Sequence, residues 1–480
     1  MYMSETTVRL TKLTIENFKN VVKGELSLEN NRKPYQSSIL GLYGQNGSGK
    51  TALIDVIQIL KAALCGVPLP LSFAEQINVD AGFAFFRFQF RVVNDLGEYD
   101  AVYEMKLKKE QDRAVQNLEP DEMDEKNFKP VIYDEVLSAS FTSGEEKLRF
   151  GPVIDTRTPD VFLPKAKYVT LIGKDRETMT DLLVAKKLAG RTGRSFLFSK
   201  ELLEALRAKT DLGECNLKSR RCTRLLGALV HYGNYELFVI HTGKAGFLSM
   251  NALPLFFDAE GQEKKARKAT GNLMIPLDSA VAMTKEQLEI TKRVIDNMNV
   301  VLQEMIPGLT IGIKDLGPQV LPNGTVGEQI QLVSTKNSKD IPLVYESEGI
   351  KKIISILQLL IVVYNQKSIT VAIDELDAGV FEYLLGELLR IISEKGKGQL
   401  LFTSHNLRPL ETLDKGFIAF TTTNPEKRYI RMTNVKENNN LRDFYYRDIV
   451  LGEQKEPVYD AADTAEIAFA FREAGEHFDS

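Results

Sequence analysis

The chain has 480 residues and a net charge of −4, with 43% hydrophobic and 26% charged residues. These values are close to those of average globular proteins, so they exclude a long disordered or fibrous chain. The near-neutral charge also excludes a uniformly basic coat for nucleic acid, although it allows a local basic surface.

The three cysteines, Cys65, Cys215 and Cys222, form no CxxC pair, which argues against a disulfide framework and against a zinc site. The first ten residues lack the basic and apolar parts of a signal peptide. The longest apolar stretch, residues 353–364, is far shorter than the ~20 residues that span a bilayer. We therefore expect a cytoplasmic protein with no membrane partner.

Residues 1–164 are expected to form the first half of an α/β unit. Residues 38–43 are apolar, as in a strand buried on both faces, and a helical pattern follows over 50–64. Residues 83–93 and 99–107 alternate strongly and predict an antiparallel pair. The other predicted strands of this half are 8–20, 21–28, 131–141 and 147–154.

Residues 165–310 are predicted to be a mainly helical, basic insert. The clearest helix is 285–306, where Thr284 and Gln287 predict a capping box. Between 164 and 270 there are 20 Lys and Arg against 11 Asp and Glu, a net charge of +9. This charge indicates either solvated helix faces or contact with a nucleic acid or an acidic protein. The basic clusters are 186–194, 218–224 and the group Lys264, Lys265, Arg267 and Lys268.

The α/β pattern returns in residues 311–480, with a helix over 347–366, a buried strand over 368–374 and another strand over 399–403. A β-rich tail is predicted to follow. The two α/β stretches are expected to share one sheet, so the predicted fold is α/β, with a mixed central sheet, an antiparallel flank and a helical insert.

The strongest motif is GQNGSGKT at residues 44–51, which matches GxxxxGK[ST] at every fixed position. Glycines let backbone N–H groups surround a polyphosphate, and the helix N-terminus adds positive charge. Lys50 is expected to reach the β- and γ-phosphates and Thr51 to hold Mg²⁺. The predicted nucleotide-binding residues are therefore Gly44, Asn46, Gly47, Ser48, Gly49, Lys50 and Thr51.

Two further motifs place polar residues directly after apolar strands. Asp374 and Glu375 follow residues 370–373; Asp374 is expected to hold Mg²⁺ and Glu375 to polarise the attacking water. His405 follows the strand over 399–403, one strand–helix–strand unit further on, where it can contact a γ-phosphate. A fourth motif, Ser347 and Gly349, caps and opens a long apolar helix and predicts an anion site.

In this order the motifs resemble those of ABC-type ATPases, specifically the SMC/RecF/OLD-like branch. Residues 44–51 correspond to Walker A, 347–349 to the signature motif, 370–375 to Walker B, Asp377 to the D-loop and His405 to the switch histidine. Residues 13–19 also resemble the opening strand of this branch. The resemblance covers roughly residues 8–160 and 310–425 and leaves the insert uncovered.

The resemblance implies an ABC-type head that binds ATP and Mg²⁺, with Lys50, Glu375 and His405 in catalysis. It also implies a head-to-tail homodimer, or a higher oligomer of such dimers, in which Ser347, Gly349 and Asp377 contribute to nucleotide binding. The signature reads ESEGI instead of LSGGQ, which argues against a transporter. Gln76 and Gln89 are both candidates for the Q-loop glutamine, and Gln89 is taken as the metal ligand.

Three functions are compatible with such an ATPase. The favoured one resembles the ATPase subunits of anti-phage systems such as Septu and PARIS, in which the ATPase controls a separate nuclease or toxin. The alternative is a RecF-like DNA-repair ATPase that acts directly on DNA. An OLD-type nuclease is disfavoured, because only 73 residues follow residue 407 and no acidic cluster follows a strand there. His231, His241 and His477 also show no close metal-ligand spacing.

Overall fold

The computed structural model describes residues 6–29, 38–111, 128–144, 146–211, 217–241, 252–259, 269–336, 339–433, 440–460 and 462–476. The strands in these residues are, in chain order, β1 Thr7–Phe18, β2 Val21–Ser27, β3 Ser38–Tyr43, β4 Ala84–Asn94, β5 Gly97–Gln111, β6 Phe128–Ser143, β7 Glu146–Asp155, β8 Leu237–Ile240, β9 Ala252–Ala259, β10 Ala269–Pro276, β11 Val281–Met283, β12 Leu309–Val320, β13 Val326–Lys336, β14 Lys339–Pro342, β15 Thr370–Ile373, β16 Gln399–Thr403, β17 Ile418–Thr421 and β18 Tyr429–Ile430.

The α-helices are α1 Lys50–Leu64, α2 Lys165–Leu171, α3 Arg176–Arg191, α4 Lys200–Asp211, α5 Leu217–His231, α6 Lys285–Met305, α7 Glu348–Asn365, α8 Glu382–Lys395, α9 Pro409–Thr412, α10 Leu441–Leu451 and α11 Thr464–Glu476. Helix α6 has the predicted capping box, formed by Thr284 and Gln287. None of the helices in the described residues is both long enough and apolar enough to cross a membrane.

The central sheet has the strand order β18-β17-β3-β16-β15-β8 and is parallel except for β18. Its strands are short and apolar on both sides, which suits a sheet covered by two layers. In β3, Leu40 and Leu42 pack into the core that contains α1, whereas Ile39 and Tyr43 pack into the core that contains α6, α7 and α8.

The flank sheet is antiparallel throughout, in the order β2-β1-β4-β5-β6-β7. Its strands alternate between buried and more exposed residues, as expected for a sheet with one covered face. Phe86, Phe88 and Phe90 of β4 are buried in the same core as α1. Helix α1 therefore lies between the flank sheet and the central sheet.

The predicted α/β class, with a mixed central sheet and an antiparallel flank, is confirmed. The two α/β stretches also share one sheet, because β3 of the first half lies between β16 and β17 of the second. The description of 165–310 as an insert needs one correction, since β8 within it pairs in parallel with β15 and completes the central sheet. The predicted β-rich tail was also wrong beyond β18, because α10 and α11 are helical.

Candidate nucleotide site at the carboxyl edge of the central sheet

Five parallel strands of the central sheet end at one edge, which we call the carboxyl edge. It is formed by the residues that follow β3, β8, β15, β16 and β17, namely Gly44, His241, Asp374, Ser404 and Thr422. The register aligns these ends, because Ile373 pairs with both Phe402 and Ile240. Ligands of parallel α/β sheets bind in crevices at this edge.

The glycine loop, residues 44–49, connects β3 to α1 and has the backbone shape of a phosphate cradle. Gly44, Gly47 and Gly49 have positive φ angles of 149°, 74° and 95°. A side chain at Gly44 would also meet the Thr421 hydroxyl, since a Cβ there would lie 1.7 Å from Oγ1. Glycine is thus required by conformation and by space at the start of the loop.

Lys50 is the first residue of α1, and its side chain crosses the mouth of the glycine loop. Its Nζ donates to the carbonyls of Gly44 at 2.7 Å and Gln45 at 3.0 Å. Burial lowers the pKa of this ammonium, while the nearby carboxylates of Asp374, Glu375 and, more weakly, Asp377 oppose that shift. The Lys50 ammonium is therefore held at the loop, within electrostatic reach of these acids.

Some of the remaining loop residues are buried and hydrogen-bonded, and the others are exposed to solvent. Ser48 is buried and donates to the Gln45 carbonyl at 2.5 Å, and its hydroxyl also contacts that of Thr421. Tyr429 supports the loop from below, because its hydroxyl donates to the Gly49 carbonyl at 2.9 Å. The residues exposed to solvent are Asn46, Gly47 and Thr51.

The paired acids follow β15 as predicted. Asp374 is only 3% exposed, and its Oδ1 accepts a 2.6 Å hydrogen bond from Thr403 of β16. Glu375 has a positive φ of 47°, a conformation that is uncommon outside glycine, and its N–H donates to the Thr403 hydroxyl at 2.7 Å. Thr403 therefore positions both acids.

Asp377 joins the loop after the paired acids to the loop that carries His405. Its Oδ2 accepts hydrogen bonds from the backbone N–H groups of His405 at 3.0 Å and Asn406 at 2.9 Å. Its Oδ1 is buried, and no partner for it exists among the described residues. The His405 side chain is exposed beside this junction.

The signature motif begins α7. Ser347 caps the helix by accepting a 3.3 Å hydrogen bond from the N–H of Ile350. Gly349 packs against the Asp377 loop so closely that a Cβ would lie 2.1 Å from the Gly379 carbonyl oxygen. One turn later, Lys352 donates to the Glu375 carbonyl at 3.3 Å. Burial lowers the pKa of Lys352 to about 8, against the opposing effect of the nearby acids.

Gln89 does not lie at the carboxyl edge, which corrects the prediction of a metal ligand. It sits in the middle of β4, where it pairs with Lys12 and Val102 in the flank sheet. Its neighbours Phe88 and Phe90 face the α1 core, so Gln89 points to the opposite face of that sheet. A strand residue with this alternation cannot approach the central sheet.

Gln76, the other glutamine candidate, is nearer to the site. Its carbonyl accepts a 2.6 Å hydrogen bond from the N–H of Lys19, and the Lys19 ammonium contacts Asp55 of α1. The Gln76 side-chain oxygen is buried and lacks a hydrogen-bond partner in the described part of the chain.

The sequence reasoning set His241 aside because its spacing from the other histidines suits no metal site, but the structure places it directly after β8. It is 6% exposed, and its Nε2 lies 3.4 Å from Oδ1 of Asp55. Burial lowers the pKa of His241, with the carboxylates of Asp55 and Asp374 opposing the shift, so the imidazole is neutral at neutral pH. The available signal was the pattern LFVIH, an apolar strand with a polar tip, which has the same form as the two strands that were recognised.

The donors at the carboxyl edge fit a divalent cation that is shared with phosphate oxygens. Asp374 and Thr51 supply a carboxylate and a hydroxyl, the oxygen ligands that Mg²⁺ prefers. Within the described ranges, no group of three or more His, Cys, Asp or Glu side chains could hold a metal alone.

The basic clusters of residues 165–310 are partly internal. Lys186 donates to four carbonyl oxygens between residues 156 and 161. Arg221 is buried against Glu146, with hydrogen bonds of 2.7 and 2.6 Å, and Arg224 pairs with Asp95. The exposed basic residues of these clusters are Lys187, Arg191, Arg194, Lys218 and Arg220. Lys264, Lys265, Arg267 and Lys268 lie outside the described residues.

No model of a known protein family matches this sequence, and no curated protein matches it. Solved structures that resemble it include an SMC head bound to the C-terminal winged-helix domain of ScpA. That chain is 11% identical, with 88% of this chain and 98% of the other covered and a TM-score of 0.39.

Two further resemblances have similar values. The SMC head domain from Thermotoga maritima is 14% identical, with 88% and 99% coverage and a TM-score of 0.34. The recombination mediator protein RecF of the RecFOR pathway, in a structure with ATPrS, is 14% identical, with 89% and 99% coverage and a TM-score of 0.35.

Proposed function

We propose that this protein is an ABC-type ATPase that binds ATP and hydrolyses it to ADP and phosphate. The proposal is carried by the convergence at the carboxyl edge, where one sheet presents the glycine loop, Lys50, the paired acids and the His405 loop. Walker-type loops and acids on neighbouring strands are the recurring parts of phosphoryl-transfer sites in P-loop proteins.

Each residue then has a defined task. The N–H groups of the glycine loop bind the phosphates, and the Lys50 ammonium balances their negative charge. Thr51 and Asp374 would hold Mg²⁺, which would stabilise the charge that develops during transfer. Glu375 orients and deprotonates the attacking water. His405 contacts the γ-phosphate and links its presence to Asp377.

We further propose that two copies close head to tail around two ATP molecules. Ser347 and Gly349 line a groove of about 770 Å³ whose other walls come from α6 and α8, and none of its lining residues belongs to the glycine loop. A capped helix N-terminus that is exposed in this way suits a phosphate brought by a second copy.

The experiment measures ATP binding, hydrolysis and mass in parallel. The Lys50→Ala variant is expected to bind ATP weakly, whereas Glu375→Gln is expected to bind ATP, hydrolyse it slowly and accumulate as a dimer in size-exclusion chromatography with light scattering. Exchange of an exposed acid on α8, Glu382→Gln, provides the matched control. Normal turnover by both site variants would refute the assignment.

For the role of the ATPase, we propose control of a separate effector, such as a nuclease or toxin in anti-phage defence. ATP-driven closure changes the relative position of the two copies, and residues 165–310 report it to the effector. Strand β8 supports this route, because it joins that region directly to the sheet that carries the paired acids. Co-purification of the protein with the products of its neighbouring genes tests it, and recovery of no effector would count against it.

A RecF-like role in direct DNA binding is the second candidate, favoured by the exposed basic side chains on α3 and α5. If these contact phosphates, DNA affinity falls steeply with salt. Charge reversal at Lys187, Arg191, Lys218 and Arg220 is expected to abolish the binding, whereas Lys285→Glu on α6 leaves it intact. Absence of binding at low salt would exclude this role.

A further inference from the structure

Strand β8 places a histidine next to the paired acids. Ile240, its last residue, pairs with Ile373, and the N–H of Asp374 donates to the Ile240 carbonyl at 3.0 Å. His241 and Asp374 are therefore the first residues beyond two adjacent parallel strands, which lie about 4.8 Å apart in such sheets.

The imidazole of His241 is buried, but its hydrogen-bonding capacity is not fully used. It is 6% exposed, and its Nε2 has no hydrogen-bond partner in the residues that the structure describes. An unpaired polar atom at this depth destabilises the fold unless a ligand compensates it. Oδ1 of Asp55 lies 3.4 Å from Nε2.

Asp55 lies one helical turn beyond Thr51, the predicted metal-binding residue of α1. Its other oxygen contacts the Lys19 ammonium, which fixes the carboxylate. The Asp55 carboxylate approaches Nε2 of His241 to 3.4 Å without forming a hydrogen bond. The nitrogen that lacks a partner therefore faces α1 at the turn after Thr51, next to the acid expected to hold the cation.

We propose that His241 is a direct nitrogen ligand of the divalent cation in the ATP complex, in the role that the sequence suggested for Gln89. The inference rests on the proposed ATP-binding function. Because imidazole binds first-row transition metals better than Mg²⁺, the site is specialised for Mn²⁺ or Co²⁺.

The test uses the full-length Glu375→Gln protein with ATP and Mn²⁺, prepared with ¹⁵N-labelled histidine. Electron spin-echo spectroscopy is expected to detect a histidine nitrogen bound to Mn²⁺. This coupling persists when His405→Gln is added and disappears when His241→Gln is added. The His241→Gln change is also expected to weaken Mn²⁺ and Co²⁺ binding about tenfold relative to Mg²⁺.

Each other outcome identifies what is wrong. A coupling that is absent in the His405→Gln protein, in which His241 is intact, overturns the inference even if the His241→Gln protein fails to fold. A coupling that persists in His241→Gln also overturns it and leaves the ATPase proposal standing. If equilibrium dialysis detects no ATP on the Glu375→Gln protein, the proposed function fails, and the inference fails with it.

Discussion

The flank sheet and the carboxyl edge of the central sheet each bury an acid, but they treat it differently. Glu135 of β6 is saturated: it accepts hydrogen bonds from Tyr103 at 2.7 Å, from the N–H of Phe196 at 2.8 Å and from the Ser195 hydroxyl. A fourth donor is the N–H of Leu197. Burial raises the pKa of Glu135, and these four donors oppose the shift.

At the carboxyl edge, in contrast, buried polar groups stay partly unpaired. Oδ1 of Asp377 and Nε2 of His241 have no partners in the described residues. Native proteins pair nearly all such groups, and a bound ligand is one explanation for an unpaired one. Glu135 and Asp377 thus differ in saturation, because Glu135 has four donors and Asp377 keeps one buried oxygen without a partner in the described residues.

The largest expected effect is a loss of kcat caused by a change at the carboxyl edge. Replacing the proposed general base, in Glu375→Gln, is expected to lower kcat by about 10²–10⁴, because the attacking water would no longer be deprotonated. The midpoint of thermal unfolding should change little, since the side chain is only partly buried. Steady-state phosphate release and calorimetry measure the two quantities; a large loss of stability with retained kcat would reverse the comparison.

The complementary change is Glu135→Leu in the flank sheet. It is expected to destabilise the protein by about 3 kcal/mol, because four buried donors lose their acceptor. Denaturant unfolding measures the loss. Well below the unfolding midpoint, kcat should remain near the wild-type value, because Glu135 hydrogen-bonds within the flank region and to residues 195–197. A specific loss of kcat would give the flank acid a functional role.

This comparison also shows what sequence patterns can reach. The glycine loop and the paired acids were predictable, because each motif lies within eight contiguous residues and its chemistry follows from residue type and neighbouring strands. The capping box of α6 was predictable for the same reason, since Thr284 and Gln287 are three residues apart.

Features that depend on distant pairing were not predictable. Strand β8 has four residues, and its partner β15 begins more than 100 residues later. The local pattern LFVIH suggests a strand with a polar tip, but it does not show that His241 reaches the site. Gln89 was chosen by residue type, whereas its direction depends on which face of β4 packs on α1. The number of basic residues in these clusters overstates the exposed positive charge for a similar reason. The acceptors of Lys186 and Arg221 come from other elements of the fold.

A smaller effect concerns a buried acid at the start of β8, at the opposite end from His241. Glu236 lies just before the strand, and burial raises its pKa to about 7, against a hydrogen bond from Ser368. Because the folded protein holds this proton more tightly than the unfolded chain, stability falls as pH rises from about 4.5 to 7 and stays lower above that range. The Glu236→Gln change is expected to remove this pH-dependent loss of stability.

Melting curves between pH 5 and 8 measure this effect. The stability advantage of Glu236→Gln over wild type should be small at pH 5 and reach about 2 kcal/mol above pH 7. An exposed acid on α3 gives the control, since Glu177→Gln should produce no such pH-dependent gain. An advantage of equal size at every pH would mean that packing, and not ionisation, distinguishes the glutamine.

The smallest effect concerns Lys352, which connects the signature helix to the paired acids. Because burial outweighs the attraction of those acids for its ammonium, Lys352→Met is expected to stabilise the fold by about 1 kcal/mol at pH 7. Loss of the hydrogen bond to the Glu375 carbonyl, which supports a positive φ, should lower kcat severalfold with little change in KM. The neighbouring Lys351→Met, which loses only its pair with Glu348, provides the control. If Lys352→Met instead lowered stability and left kcat intact, Lys352 would belong with Glu135 among the saturated structural groups.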